Sequence, residues 1–127
     1  MTKAEALFAF WSKFGLAAFE ENAIPTGEDE EEPKYPYLTY EVQTDSFGSP
    51  IPLAASLWFR STSGRGAEEK KEEIARHIGR GGVFLPCDGG SVWIRRGSPF
   101  AQRMGDGSDD MVKRMYLNIS VEFWTED

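Results

Sequence analysis

Apolar positions recur along this chain with two periods. Over residues 2–14, Ala4, Leu7, Phe8, Trp11 and Phe14 fall three and four apart, the spacing of one buried helix face. Thr2 and Glu5 fit a capping box, in which a hydroxyl and a carboxylate each satisfy a free backbone N–H. Gly15 can take the left-handed conformation that ends a helix. Phe10 falls outside the stripe, so part of this helix is expected to face a neighbour. A second helix is predicted over 67–78, where Ala67, Ile74, Ala75 and Ile78 form a narrow apolar stripe in a charged segment. Gly79, Gly81 and Gly82 close it.

The other pattern has period two. Residues 35–44 place Leu38, Tyr40 and Val42 on one face and Tyr37, Thr39 and Glu41 on the other. A turn at Asp45-Ser-Phe-Gly-Ser-Pro50 leads to a strand over 51–60, which suggests an antiparallel hairpin. Val83–Cys87 and Ser91–Arg95 flank Asp88-Gly89-Gly90, a second hairpin. The clearest alternation covers 111–124: Met111, Lys113, Met115, Leu117, Ile119, Val121 and Phe123 alternate with a mostly polar set. Residues 16–36 read as mostly extended or loop. Residues 97–110, rich in Gly, Ser and Asp, read as a long loop. Helix, strands, helix, strands with hairpin links predict an α+β fold. We expect one domain over 1–127, a small antiparallel or mixed sheet with two helices on one face.

The length of 127 residues and an apolar content of 40% suit one core. Charge is uneven. The chain carries −7, and residues 1–60 hold four Lys/Arg against ten Asp/Glu. Net acidity disfavours broad binding of nucleic-acid phosphates. Glu28, Asp29, Glu30, Glu31 and Glu32 form an acidic run that is expected to stay solvated. The single cysteine, Cys87, cannot close an intrachain disulfide and suits a reducing compartment. No apolar run approaches the roughly 20 residues that span a bilayer, and the N-terminus lacks signal-peptide features. These readings point to a soluble cytosolic protein.

Candidate chemistry is sparse. His77 and Cys87 could form a thiol–imidazole pair, but neither sits in a motif, and a structural role is expected for both. Two N or S ligands fall short of the four of a zinc site. Gly64-Arg65-Gly66 and Gly79-Arg80-Gly81-Gly82 lack the full phosphate-loop layout and read as helix start and stop. No catalytic residue, metal or cofactor is expected. Arg95, Arg96, Arg103, Lys113 and Arg114 form a basic set in the second half. Pairing with acidic surfaces of neighbouring subunits would explain them. Phe47 and Phe100, on predicted loops, suit an interface.

Several segments in order resemble the tail terminator (minor capsid) proteins of siphophages and of prophages in Gram-positive bacteria. They are Phe14-Gly-Leu-Ala-Ala-Phe-Glu-Glu-Asn-Ala-Ile-Pro25, Tyr37-Leu-Thr-Tyr-Glu-Val42, Ala55-Ser-Leu-Trp-Phe-Arg-Ser-Thr-Ser63, Trp93-Ile-Arg-Arg-Gly-Ser-Pro-Phe-Ala-Gln-Arg-Met104 and Tyr116-Leu-Asn-Ile-Ser-Val-Glu-Phe123. The resemblance implies a virion protein of the head–tail neck, assembled in the host cytoplasm. It implies a homo-oligomeric ring, expected to be a hexamer, that caps the tail tube protein and joins a head-side connector protein. DNA would pass through the lumen without specific binding. Glu30, Glu31, Phe47, Arg95, Arg96, Phe100 and Arg103 are the candidate interface residues. The alternatives are another head–tail joining protein, or a small enzyme or ligand-binding protein.

Overall fold

The computed structural model describes residues 1–27, 31–44, 49–105 and 107–126. Helix α1 spans Lys3–Trp11 and continues as a 3-10 turn over Ser12–Phe14. The expected capping box is present: Thr2 N–H donates to Glu5 Oε1 at 2.8 Å, and Glu5 N–H donates to Thr2 Oγ1 at 3.1 Å. Gly15, at φ 78°, closes the 3-10 turn. The buried face differs from the expected one. Ala6, Leu7, Phe10, Trp11 and Phe14 are buried, while Phe8 is exposed. The stripe keeps the helical period but is rotated by about one position. Phe10 is therefore core, packed edge-on against Trp11 and Phe14 at 4.8 and 5.5 Å.

The strands are β1 (Ala17–Glu20), β2 (Tyr37–Tyr40), β3 (Ile51–Arg60), β4 (Val83–Cys87), β5 (Gly90–Gly105) and β6 (Val112–Thr125). They form one sheet in the order β1-β2-β3-β6-β5-β4. β1 runs parallel to β2 and every other pairing is antiparallel, so the sheet is mixed. Both expected hairpins are present. The first strand is shorter than expected: Val42 lies beyond β2 and is exposed.

β1 falls within 16–36, read as mostly extended or loop, and one segment expected as loop is strand. Residues 97–105, within the expected long loop, extend β5 along β6. Between Arg96 and Ala101 the register is interrupted: five positions on β5 pass two on β6, from Ile119 to Leu117. Gly97 sits in this irregularity, where an added Cβ would lie 2.8 Å from the Asn118 carbonyl oxygen. A side chain would not fit so close a backbone approach.

Helix α2 spans Arg65–Ile78. Ala67, Ile74 and Ile78 are its buried positions, and Gly79 at φ 68° ends it. Its charges pair at i, i+3 and i, i+4: Lys71 with Glu68 at 3.1 Å, Lys70 with Glu73 at 3.0 Å, Arg65 with Glu69 at 2.8 Å. Gly66 packs against Phe59, where a Cβ would stand 3.1 Å from the ring. Lys70 Nζ also donates to the Phe14 carbonyl at 2.7 Å, tying α2 to the end of α1.

Both helices cover the same side of the sheet. Leu38, Tyr40, Leu53, Ala55, Leu57, Val92, Ile94, Met115, Leu117, Ile119, Val121 and Phe123 close one core with the apolar faces of α1 and α2. Each large buried aliphatic contributes about 1.5–3 kcal/mol by leaving water. The expected alternation of β6 holds from Met115 to Phe123. Among the described residues, no helix is long and apolar enough to cross a membrane.

Candidate functional site

The other side of the sheet carries no helix among the described residues, and its side chains differ in kind. Tyr37 of β2 lies opposite Trp58 of β3, which lies opposite Arg114 of β6, which lies opposite Met104 of β5. These positions form a row across the strands. The rings of Phe19 and Tyr37 are 6.2 Å apart, and those of Tyr37 and Trp58 stack at 6.1 Å with 15° between planes. The Arg114 guanidinium lies 4.8 Å from the Trp58 ring centroid and 5.6 Å from that of Tyr116. A cation over the electron-rich ring face is attracted to it.

Two buried polar side chains sit beneath this row. Thr39 accepts from Trp58 Nε1 at 2.9 Å, and Ser56 accepts from Arg114 Nε at 3.0 Å. Trp58 and Arg114 thus shield the sheet with their flat surfaces and satisfy it with their N–H groups. Burial pushes the Tyr37 hydroxyl pKa up, and the neighbouring Tyr35 adds to the shift.

A second group lies towards the β4 end. The rings of Phe84 and Trp93, directly opposite each other, stack at 5.3 Å and 6°. Arg95 lies 4.0 Å from the Trp93 centroid and 3.5 Å from Glu122. Trp93 Nε1 donates to the Gly81 carbonyl at 2.9 Å. Arg95 Nε is buried and meets no hydrogen-bond partner among the described residues. Phe84 and Trp124 expose more than half their surface here.

The structure divides the basic set found in the sequence. Arg95 and Arg114 belong to the helix-free face. Arg103 points to the helix side, where its Nε donates to Glu68 at 3.1 Å beside α2. Glu68 titrates low because Lys71 and then Arg103 donate to it. Arg96 is exposed at the register interruption. Phe100 is corrected: it lies in β5 and packs, partly buried, against the core. Glu31 is exposed and pairs with Lys34 at 3.0 Å. Glu30 and Phe47 lie outside the described residues, as do Glu28, Asp29 and most of the turn at 45–50. Tyr37, Trp58 and Tyr116 were missed as a surface group. Their signal was present in the alternation, since each occupies the non-core phase of its strand.

Cys87 is buried in the core, and His77 is exposed on α2 with its ring against the end of α1. The imidazole sits against Phe10 at 6.1 Å and edge-on to Phe14 at 5.4 Å. Burial raises the Cys87 thiol pKa, which keeps it protonated and poorly nucleophilic near neutrality. Among the described residues, no group of three or more His, Cys, Asp or Glu is placed to hold a metal ion. A groove of about 500 Å³ runs beside the start of α2, lined by Ser63, Gly64, Arg65, Glu68, Arg76 and Arg103 among others. It is open and mixed in charge.

No protein-family model matches the chain, and no curated protein matches it by sequence. A solved structure whose designation states no activity shares the fold. Its TM-score is 0.57 at 18% identity, over 97% of this chain and 95% of that one. At that identity the likeness speaks for the α+β architecture alone.

Proposed function

We propose that this chain is a virion structural subunit of a phage head–tail neck, a tail terminator that caps the tail tube as a ring. The observation that carries this reading is where the resembling segments fall. Phe14–Pro25, Tyr37–Val42, Ala55–Ser63, Trp93–Met104 and Tyr116–Phe123 each include part or all of β1, β2, β3, β5 and β6 in turn. The resemblance therefore touches five of the six strands of one sheet. The helix-free face supports the reading too. Half-buried aromatics and arginines with polar handles are the side chains that protein interfaces favour.

In this role the work is binding. The partners would be identical copies, the tail tube protein and the head-side connector protein. A hexamer is the expected ring. A net charge of −7 would let DNA pass without sticking to a neutral or acidic lumen.

Mixing the purified protein with polymerised tail tubes and imaging in negative stain tests the proposal. A terminator decorates one end of each tube and stops further growth. Binding to the head-side connector without tube ends would instead favour another head–tail joining protein, the second reading. Turnover of a substrate lost in Cys87→Ala or His77→Ala would overturn both.

A further inference from the structure

Besides the outer side of β4, which carries Pro86, the sheet has two borders that no described strand covers. One is the outer side of β1. The other is the second half of β5, because β4 pairs only with Gly90–Ile94 and leaves Ala101–Gly105 bonded to β6 alone. Neither stretch contains a proline or a lysine, the residues that commonly protect sheet edges.

Resting on the ring-subunit reading, we infer that identical copies join edge to edge. The open half of β5 in one copy adds to β1 of the next in the antiparallel sense, with Arg103 opposite Glu20 and Met104 opposite Phe19.

Strand direction favours this arrangement. β1 runs parallel to β2, and successive antiparallel pairings to β3, β6 and β5 make β5 run opposite to β1. An antiparallel junction therefore leaves the second copy oriented like the first. The same step can repeat, unlike edge meets unlike edge, and such a heterologous contact closes into a ring. A parallel junction would invert every second copy.

The pleat then limits the register. Arg103 lies opposite core residue Met115 and so on the helix side, while Met104 lies opposite Arg114 on the helix-free side. Glu20 lies opposite core residue Tyr40 on the helix side, and Phe19 opposite Thr39 on the other. Arg103 against Glu20 puts every side chain beside one of the same face. A one-residue slip would set Arg103 against Phe19 across the sheet. A two-residue slip keeps the faces but sets Arg103 against Ala18, with no charge to meet.

Charge and packing select between these. The β1 border ends in Glu20 and Glu21, whereas the open half of β5 offers Arg103, whose Nε donates to Glu68 of its own copy and whose remaining N–H groups can still meet a second carboxylate. Met104, exposed at 38%, would bring its sulfur to the Phe19 ring. Beside β1 lies a groove of about 340 Å³ formed by Ala4, Phe8, Ala18, Phe19 and Ala23, rimmed by Glu5 and Glu20. The half-exposed Phe8 on that border is the kind of surface a neighbouring copy covers.

Disulfide trapping tests the junction. Within one chain β1 and β5 are four strand spacings apart, roughly 19 Å, well beyond the ~7 Å Cα limit of a disulfide. Any bond between the two sites therefore joins copies. In a Cys87→Ala background, Glu20→Cys with Arg103→Cys should give a ladder of covalent multimers under mild oxidation. Ala18→Cys with Arg103→Cys should give markedly less. Equal or stronger trapping by the Ala18 pair overturns the register, and no ladder from either pair overturns the junction. Arg103→Glu should raise the protein concentration needed for assembly at least about tenfold, and adding Glu20→Arg should restore it. Failure of that rescue in folded protein counts against the pairing. A ladder without tube capping would leave the junction standing and remove the terminator role. Tube capping without a ladder would do the reverse.

Discussion

The two faces of this sheet are built from the same strands by different physics. On the covered face, Leu38, Leu57, Leu117, Ile119 and Val121 are sealed beneath α1 and α2. These aliphatic side chains need no polar partner, and their stability follows from area removed from water. On the open face, Tyr37, Trp58 and Arg114 remain in reach of solvent. They hold one another by stacking and hold the buried Thr39 and Ser56 through N–H donors. A sheet face can thus be shielded without a layer above it when wide, flat side chains lie along it. Such a face stays available to another protein.

That contrast can be broken most forcefully in the core. Leu117→Ala should cost about 2–5 kcal/mol, through lost transfer energy and an unfilled cavity, read as a lower urea midpoint. Trp58→Ala on the open face should cost less, about 1–2 kcal/mol, since it loses a stack and a cation contact while water can replace the Thr39 bond. It should weaken binding to tail tubes more than folding. A stability loss equal to that of Leu117→Ala would erase the distinction. Thr2→Ala should cost about 1 kcal/mol by removing the cap of α1, a test of how far the covering helix depends on its first turn.

A last effect appears only at alkaline pH. Burial, and then the nearby Glu20 charge, push the Tyr40 hydroxyl pKa up to about 12 from its ordinary value of about 10. The folded state therefore keeps its proton where the unfolded chain releases it. The stabilising contribution is whole below pH 10 and is lost as pH rises towards 12. Tyr40→Phe should flatten that alkaline decline. Tyr37→Phe on the open face should flatten it less, and a reversed order would show that the open face is the drier one.

Much of the fold was legible because burial writes itself as a period. The alternation from Met115 to Phe123, the Thr2–Glu5 box and both hairpins were present as patterns. The missed parts have physical causes. The stripe of α1 was rotated because apolar residues stand at 4, 6, 7, 8, 9, 10 and 11, and so many cannot fix a phase. Residues 97–105 carry Gly97, Pro99 and Gly105, which argue for a loop. Pairing with the long β6 overrides that composition, and the interruption after Arg96 absorbs the misfit. The strand β1 has four residues, each paired with a parallel partner twenty positions on, so nothing local announces it. The candidate surface was less legible. Arg95 and Arg103 are eight apart but face opposite ways, because the register interruption lies between them.

The final strand in chain order, β6, occupies the middle of the sheet, with β3 on one flank and β5 on the other. Without it the remaining strands separate into β1-β2-β3 and β5-β4, and neither half owns a closed core. Each half must wait for a segment translated after both. The sheet can therefore be completed only once β6 exists, with native pairings such as Ile51 to Val121 spanning more than half of the chain. A ribosome stalled before residue 112 would carry no finished subunit, so incomplete chains would hold no preformed edge with which to poison a growing assembly.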